Sequence, residues 1–150
     1  MLKLLNERRM FMKKKIYHLS AAERNKIKLN LKKFLENHKE IEFAYLYGSF
    51  MENLPFHDLD LGVYVQNIDK NSSITYALNL AGELSTDLKI PVDVQVINFA
   101  PLTFIFNILR GELVLNRNDD LLAKIMEQTI KKYLDLKPVL YKATKEAFES

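Results

Sequence analysis

The chain has 150 residues, 48% apolar and 27% charged, a balance that suits one domain with a hydrophobic core and excludes a disordered chain. It holds no cysteine, which excludes disulfides, thiolate zinc sites and cysteine nucleophiles, and its three histidines (His18, His38, His57) are too scattered to predict a histidine metal site. No apolar run reaches the roughly 18 residues of a membrane span, so a soluble, cytoplasmic protein is expected.

Charge is unevenly spread. Residues 1–40 carry twelve Lys/Arg against four Asp/Glu, whereas the rest carries ten against fifteen. Such a basic first quarter suits either a polyanion patch, with nucleic acid as the candidate ligand, or a solvated helix face behind a leader; charge runs are usually solvated faces, which favours the second. Met10 and Met12 stand just ahead of Lys13-Lys14-Lys15, so residues 1–11 are either an over-long start without a role or the first part of a basic leader, which is assigned to residues 1–19.

Ser20-Ala21-Ala22-Glu23 is a capping box, and Ile27, Leu31, Phe34 and Leu35 recur behind it at helical spacing to about His38. Ile41 to Tyr47 reads as a buried strand ending at Gly48-Ser49. Asp58 to Gln66 alternates with period two: Leu59, Leu61, Val63 and Val65 on one face, Asp58, Asp60, Gly62 and Tyr64 on the other. Asn71-Ser72-Ser73 is the expected cap of a long helix through Leu88. Pro91 opens a third strand, with Val92, Val94 and Val96 opposite Asp93 and Gln95. Pro101 starts a helix that closes at Gly111, and Glu112 to Leu115 is a short strand or extended link. Asn118-Asp119-Asp120 begins a last helix that Pro138 is expected to break, leaving residues 137–150 as an amphipathic tail. This order predicts an α/β (α+β) fold, a small mixed sheet packed against helices, with the main domain over residues 20–136.

Three features converge chemically. Gly48-Ser49 at a strand end lets backbone approach a phosphate closely. Asp58 and Asp60, two apart on a strand, share a face at a separation that can flank a metal pair. Asp93 sits in an otherwise valine-flanked strand, where an acid is costly unless something pairs it. If the two strands are neighbours, Asp93 lies beside Asp60, and three carboxylates on one face call for a hard cation such as Mg²⁺ or Mn²⁺. His57, Lys70 and Arg110 are further candidates for contact with phosphate, each with a simpler surface role. Tyr45 and Tyr47 read as core, because their strand is apolar on both faces.

Gly48-Ser49, Asp58-Leu59-Asp60-Leu61 and Val92-Asp93-Val94 together resemble the signature of the DNA polymerase β-type nucleotidyltransferase superfamily. The small size, the run from Asp93 through Pro101-Leu102 to Gly111-Glu112-Leu113-Val114-Leu115, and the late Tyr133-Leu134-Asp135-Leu136-Lys137-Pro138 are similar to the minimal nucleotidyltransferases, and more narrowly to MntA-type antitoxins paired with HEPN-domain ribonuclease toxins. The resemblance implies that Gly48 and Ser49 bind the phosphates of ATP, that Asp58, Asp60 and Asp93 bind two Mg²⁺ ions and are catalytic, and that AMP passes to a tyrosine of the toxin. Two departures stand out: the stretch from Phe50 to His57 is shorter than is usual in the family, and Phe50 and Met51 occupy the place where relatives often carry a basic residue. A small-molecule or RNA hydroxyl as acceptor, and a non-catalytic antitoxin that only binds its toxin, are the alternative readings.

Overall fold

The computed structural model describes residues 15–149. Residues 1–14, which hold most of the expected leader, lie outside the described residues. Helix α1 (Ala21–Glu36) starts where the capping box predicts: the Ser20 hydroxyl accepts a hydrogen bond from the Glu23 amide at 3.2 Å. Strand β1 (Ile41–Tyr47) follows, then a 3₁₀ turn (Ser49–Glu52) and strand β2 (Leu59–Val65). Helix α2 (Lys70–Leu88) leads to strand β3 (Val92–Val96) and a second 3₁₀ turn (Ile97–Phe99). Helix α3 (Leu102–Leu109), strand β4 (Glu112–Asn116) and helix α4 (Asp119–Glu149) complete the described residues.

The four strands form one mixed sheet in the order β3-β2-β1-β4. β1 pairs antiparallel with β2 and β4, and β2 pairs parallel with β3. Period-two alternation sends side chains to both faces, and both faces are covered. On one, Leu59, Leu61, Val63, Val92 and Val94 pack under Leu31 and Leu35 of α1 and Leu80 and Leu84 of α2. On the other, Phe43, Tyr45 and Tyr47 pack with Ile97, Ile108 of α3 and Leu122 of α4. Gly62 belongs to this second face, where a Cβ would lie 2.7 Å from Ile108 Cγ2, so its lack of a side chain is what lets α3 approach. Among the described residues no helix is long and apolar enough to cross a membrane.

Two local expectations are corrected and one open alternative is settled. The cap of α2 is Asp69 rather than Asn71-Ser72-Ser73; its carboxylate accepts from the Ser72 amide at 2.7 Å, so the helix begins earlier. Glu112 to Leu115 is a true strand, because pairing with β1 satisfies its backbone. Pro138 does not break the last helix, which runs through it to Glu149. The hydrogen bond that proline removes lies on an exposed stretch, where water can satisfy the freed carbonyl.

One side chain extends the sheet beyond its strands. Asn98 Oδ1 accepts from the Val65 N–H at 3.0 Å, and Asn98 Nδ2 donates to the Val65 carbonyl at 2.7 Å. Val65 is almost fully buried, so Asn98→Ala strands a donor and an acceptor away from water. The expected cost is about 2 kcal/mol, read as a lower urea midpoint with an unchanged m-value.

Candidate active site

Strand direction assembles the site. β1 ends where β2 begins because the two are antiparallel, and β3 begins there too because it is parallel to β2. The register makes Tyr47 the partner of Asp60 and Asp60 the partner of Asp93. Asp58 lies in the bend just before β2, near enough for its charge to act on Asp60. Asp60 and Asp58 are partly buried, whereas Asp93, on the edge strand, is exposed. Gly48 closes the group from the β1 side. Its φ of +81° and ψ of −159° suit glycine alone, and a Cβ there would run into the Asp60 carboxylate, whose Cγ would be 3.2 Å away. The Gly48-Ser49 turn thus abuts the acids directly.

The electrostatics agree with this placement. The Asp60 carboxyl is pushed up to about 6, by burial first and then by the negative charges of Asp58 and Asp93. Burial also pushes the Tyr47 hydroxyl above its ordinary range, with Asp60, Asp93 and Asp58 adding to the effect in that order. Among the described residues none of the three carboxylates forms an ion pair with a lysine or arginine.

A family model described as polymerase beta, nucleotidyltransferase, matches residues 29–120, well over half of the chain. The chain belongs to this nucleotidyltransferase family. Solved structures share its fold. One chain of a complex of tri-AMPylated Shewanella oneidensis HEPN toxin with MNT antitoxin matches with a TM-score of 0.64 at 16% identity, covering 83% of this chain and 98% of that one. A toxin–antitoxin structure with AMP-PNP matches with a TM-score of 0.66 at 17% identity, over 81% of this chain and 98% of that one. A MntA–HepT toxin–antitoxin structure matches with a TM-score of 0.57 at 20% identity, over 86% and 99%. A comparison with curated proteins finds no significant match.

In this nucleotidyltransferase the acidic group fits a divalent cation by its chemistry. It offers hard oxygen donors from adjacent strands, and it carries like charges that, among the described residues, form no ion pair with a lysine or arginine. No three His, Asp or Glu side chains among the described residues close into a ready-made metal cage. The carboxylates border the sheet end rather than enclosing a point.

The remaining candidates divide. Lys70 lines a cavity of about 490 Å³ beside β3, together with Asp93, Gln95, Ser73 and Phe104, so it shares the site's outer side. Arg110 lies at the end of α3, its guanidinium 6.0 Å from the Phe106 ring centroid. His57 is exposed, and its Nδ1 bonds to the Lys15 carbonyl at 3.2 Å. Tyr45 and Tyr47 are core residues, with Tyr47 edge-on to Phe104 at 5.9 Å. One residue next to the site went unnoticed in the sequence. Arg24 is buried under the Gly48–Asp58 connection, and its signal was position: it falls in phase with Ile27, Leu31 and Leu35 on the buried face of α1.

Proposed function

We propose that this nucleotidyltransferase moves AMP from ATP to a tyrosine hydroxyl of a HEPN-domain toxin and serves as that toxin's antitoxin in the cytoplasm. The observation that carries the reading is the register of β1, β2 and β3, which sets Gly48-Ser49, Asp60 and Asp93 side by side. Support for the acceptor comes from the fold-level neighbours, a complex of tri-AMPylated HEPN toxin with MNT antitoxin and a toxin–antitoxin structure with AMP-PNP.

The chain's own residues divide the work across the sheet end. Gly48 and the Ser49 amide and hydroxyl grip the terminal phosphates, since glycine leaves room for a phosphate oxygen against backbone. Asp58 and Asp60 would hold two Mg²⁺ ions, or Mn²⁺ in their place, and Asp93 would complete the ligand set. When bound, the cations neutralise the triphosphate and the departing pyrophosphate. Asp93 takes the proton of the tyrosine hydroxyl, whose oxygen bonds to the α-phosphorus as the bond to the bridging oxygen breaks and pyrophosphate leaves. The cavity beside Asp93 is lined from α2, β3 and the start of α3 and not by the Gly48-Ser49 turn, and it is assigned to the acceptor. The protein's contribution is alignment and charge placement, nearly all that such a transfer requires.

Label position tests the reaction class. With a HEPN-domain partner and Mg²⁺, label from [α-³²P]ATP is expected to become protein-bound and label from [γ-³²P]ATP is not. Transfer of the γ label would mean a kinase, and label in RNA instead of protein would move the acceptor to nucleic acid.

A further inference from the structure

The connection from Gly48 to Asp58 carries the proposed phosphate grip at one end and a proposed metal ligand at the other. It contains a tight 3₁₀ turn, Ser49–Glu52, and a left-handed residue, Asn53, with φ of 56°. Such a segment has few regular hydrogen bonds of its own to hold its shape. An antiparallel bridge to Tyr17 and burial hold it at Phe56, and a cation from another element holds the turn itself.

Arg24 leaves the first turn of α1 and is only 7% exposed. Its guanidinium donates to the Phe50 carbonyl within the 3₁₀ turn, and through Nη2 to the Leu54 carbonyl at 3.1 Å beyond it. Nε donates to the Leu19 carbonyl at 3.3 Å, tying the grip to the entry of α1. The guanidinium carbon lies 5.0 Å from the Phe50 ring centroid and 5.3 Å from that of Phe56. The planar fork therefore bonds both ends of the turn and packs against the aromatic side chains on either side of it. Among the described residues no carboxylate pairs with it. Its charge is met by carbonyl dipoles and ring faces.

We infer that Arg24 is the positioning residue of the nucleotide site: it fixes the Ser49–Leu54 turn so that the Gly48-Ser49 grip and Asp58 are in place before nucleotide arrives. This rests on the nucleotidyltransfer reading above. Arg24 touches no substrate; it acts through the loop, and a pre-shaped loop spares nucleotide the cost of ordering it.

The control is built into the fold. Arg117 makes an equivalent clamp far from the site, donating to the carbonyls of Ile41, Leu35 and Glu36 at 3.1, 3.2 and 2.7 Å. Affinity for Mg²⁺–AMP-PNP is measured by titration calorimetry, well below each variant's melting temperature, for the native protein, Arg24→Met, Arg24→Lys and Arg117→Met. Arg24→Met is expected to weaken binding about tenfold or more. Arg24→Lys, which keeps the charge but loses the fork, should fall in between and serves alone should the methionine variant not fold. Arg117→Met should lower the melting temperature and leave affinity unchanged. Arg24 variants that bind like the native protein, or an equal loss in Arg117→Met, would overturn the inference. Absence of binding by the native protein would instead overturn the nucleotidyltransfer reading, and this inference with it.

Discussion

Asp60→Asn is expected to lower AMP transfer about a thousandfold or more while making the protein harder to melt at neutral pH. The two effects share one cause. Asp60 is half-buried between Asp58 and Asp93, and burial followed by those charges lifts its carboxyl from 3.8 in a free chain to about 6. The folded protein therefore holds the Asp60 proton more tightly than the unfolded chain does. Below about pH 4 both states are protonated and the site costs nothing. As pH rises through 6 the native carboxylate ionises against its neighbours and stability is lost. Because the side chain is half in water, the loss is discounted to about 1 kcal/mol, or about 3 °C in a domain of this size. Asparagine removes that penalty and a metal ligand together. Melting curves should thus separate native and variant at pH 7.5 and bring them together near pH 4. Mg²⁺ should raise the native melting temperature and leave the variant's unchanged, since only a native-state ligand stabilises. A variant that melts lower at pH 7.5, or one that keeps its activity, would contradict this account of the acids.

Gly48→Ala should damage stability and chemistry at once. The backbone at Gly48 sits in a region essentially closed to residues with a Cβ, at about 1–3 kcal/mol for an alanine forced into it. The added carbon would also run into the Asp60 carboxylate, so relief of the clash must displace either the turn or the acid. A displacement of about 1 Å between groups that align a reaction costs on the order of a hundredfold in rate. The expected result is a melting temperature lowered by several degrees and, in the folded fraction at low temperature, transfer reduced about a hundredfold. Gly82→Ala is the matched comparison. Gly82 lies on the exposed face of α2 with nothing within 4 Å of an added Cβ. There alanine should stabilise by up to about 1 kcal/mol and leave transfer untouched. Native-like activity in Gly48→Ala would mean that the turn does not need its glycine geometry.

Much of this was written in side-chain periodicity. The alternation of Leu59, Leu61 and Val63 against Asp58 and Asp60, and of Val92, Val94 and Val96 against Asp93, has period two, and adjacent strands then set Asp60 beside Asp93. The capping box at Ser20 is a local hydrogen-bond pattern and was equally readable. What escaped depends on partners distant in sequence. Arg24 reaches carbonyls 26 and 30 residues away. Asn98 satisfies Val65 across 33 residues, and β4 becomes a strand only because β1 is there to pair with it. Pro138 and the α2 cap failed for a different reason. Asp69 competes locally with Asn71-Ser72-Ser73, and an exposed proline can be carried by a helix that continues on both sides.

The most direct test of the central claim is the intact mass of a HEPN-domain partner, purified in complex with this protein, before and after Mg²⁺-ATP. The account predicts that the partner gains one or more AMP units with the native protein and none with Asp58→Ala, although the complex still forms. An unmodified partner in a stable native complex would contradict it, leaving a protein that binds its toxin without modifying it.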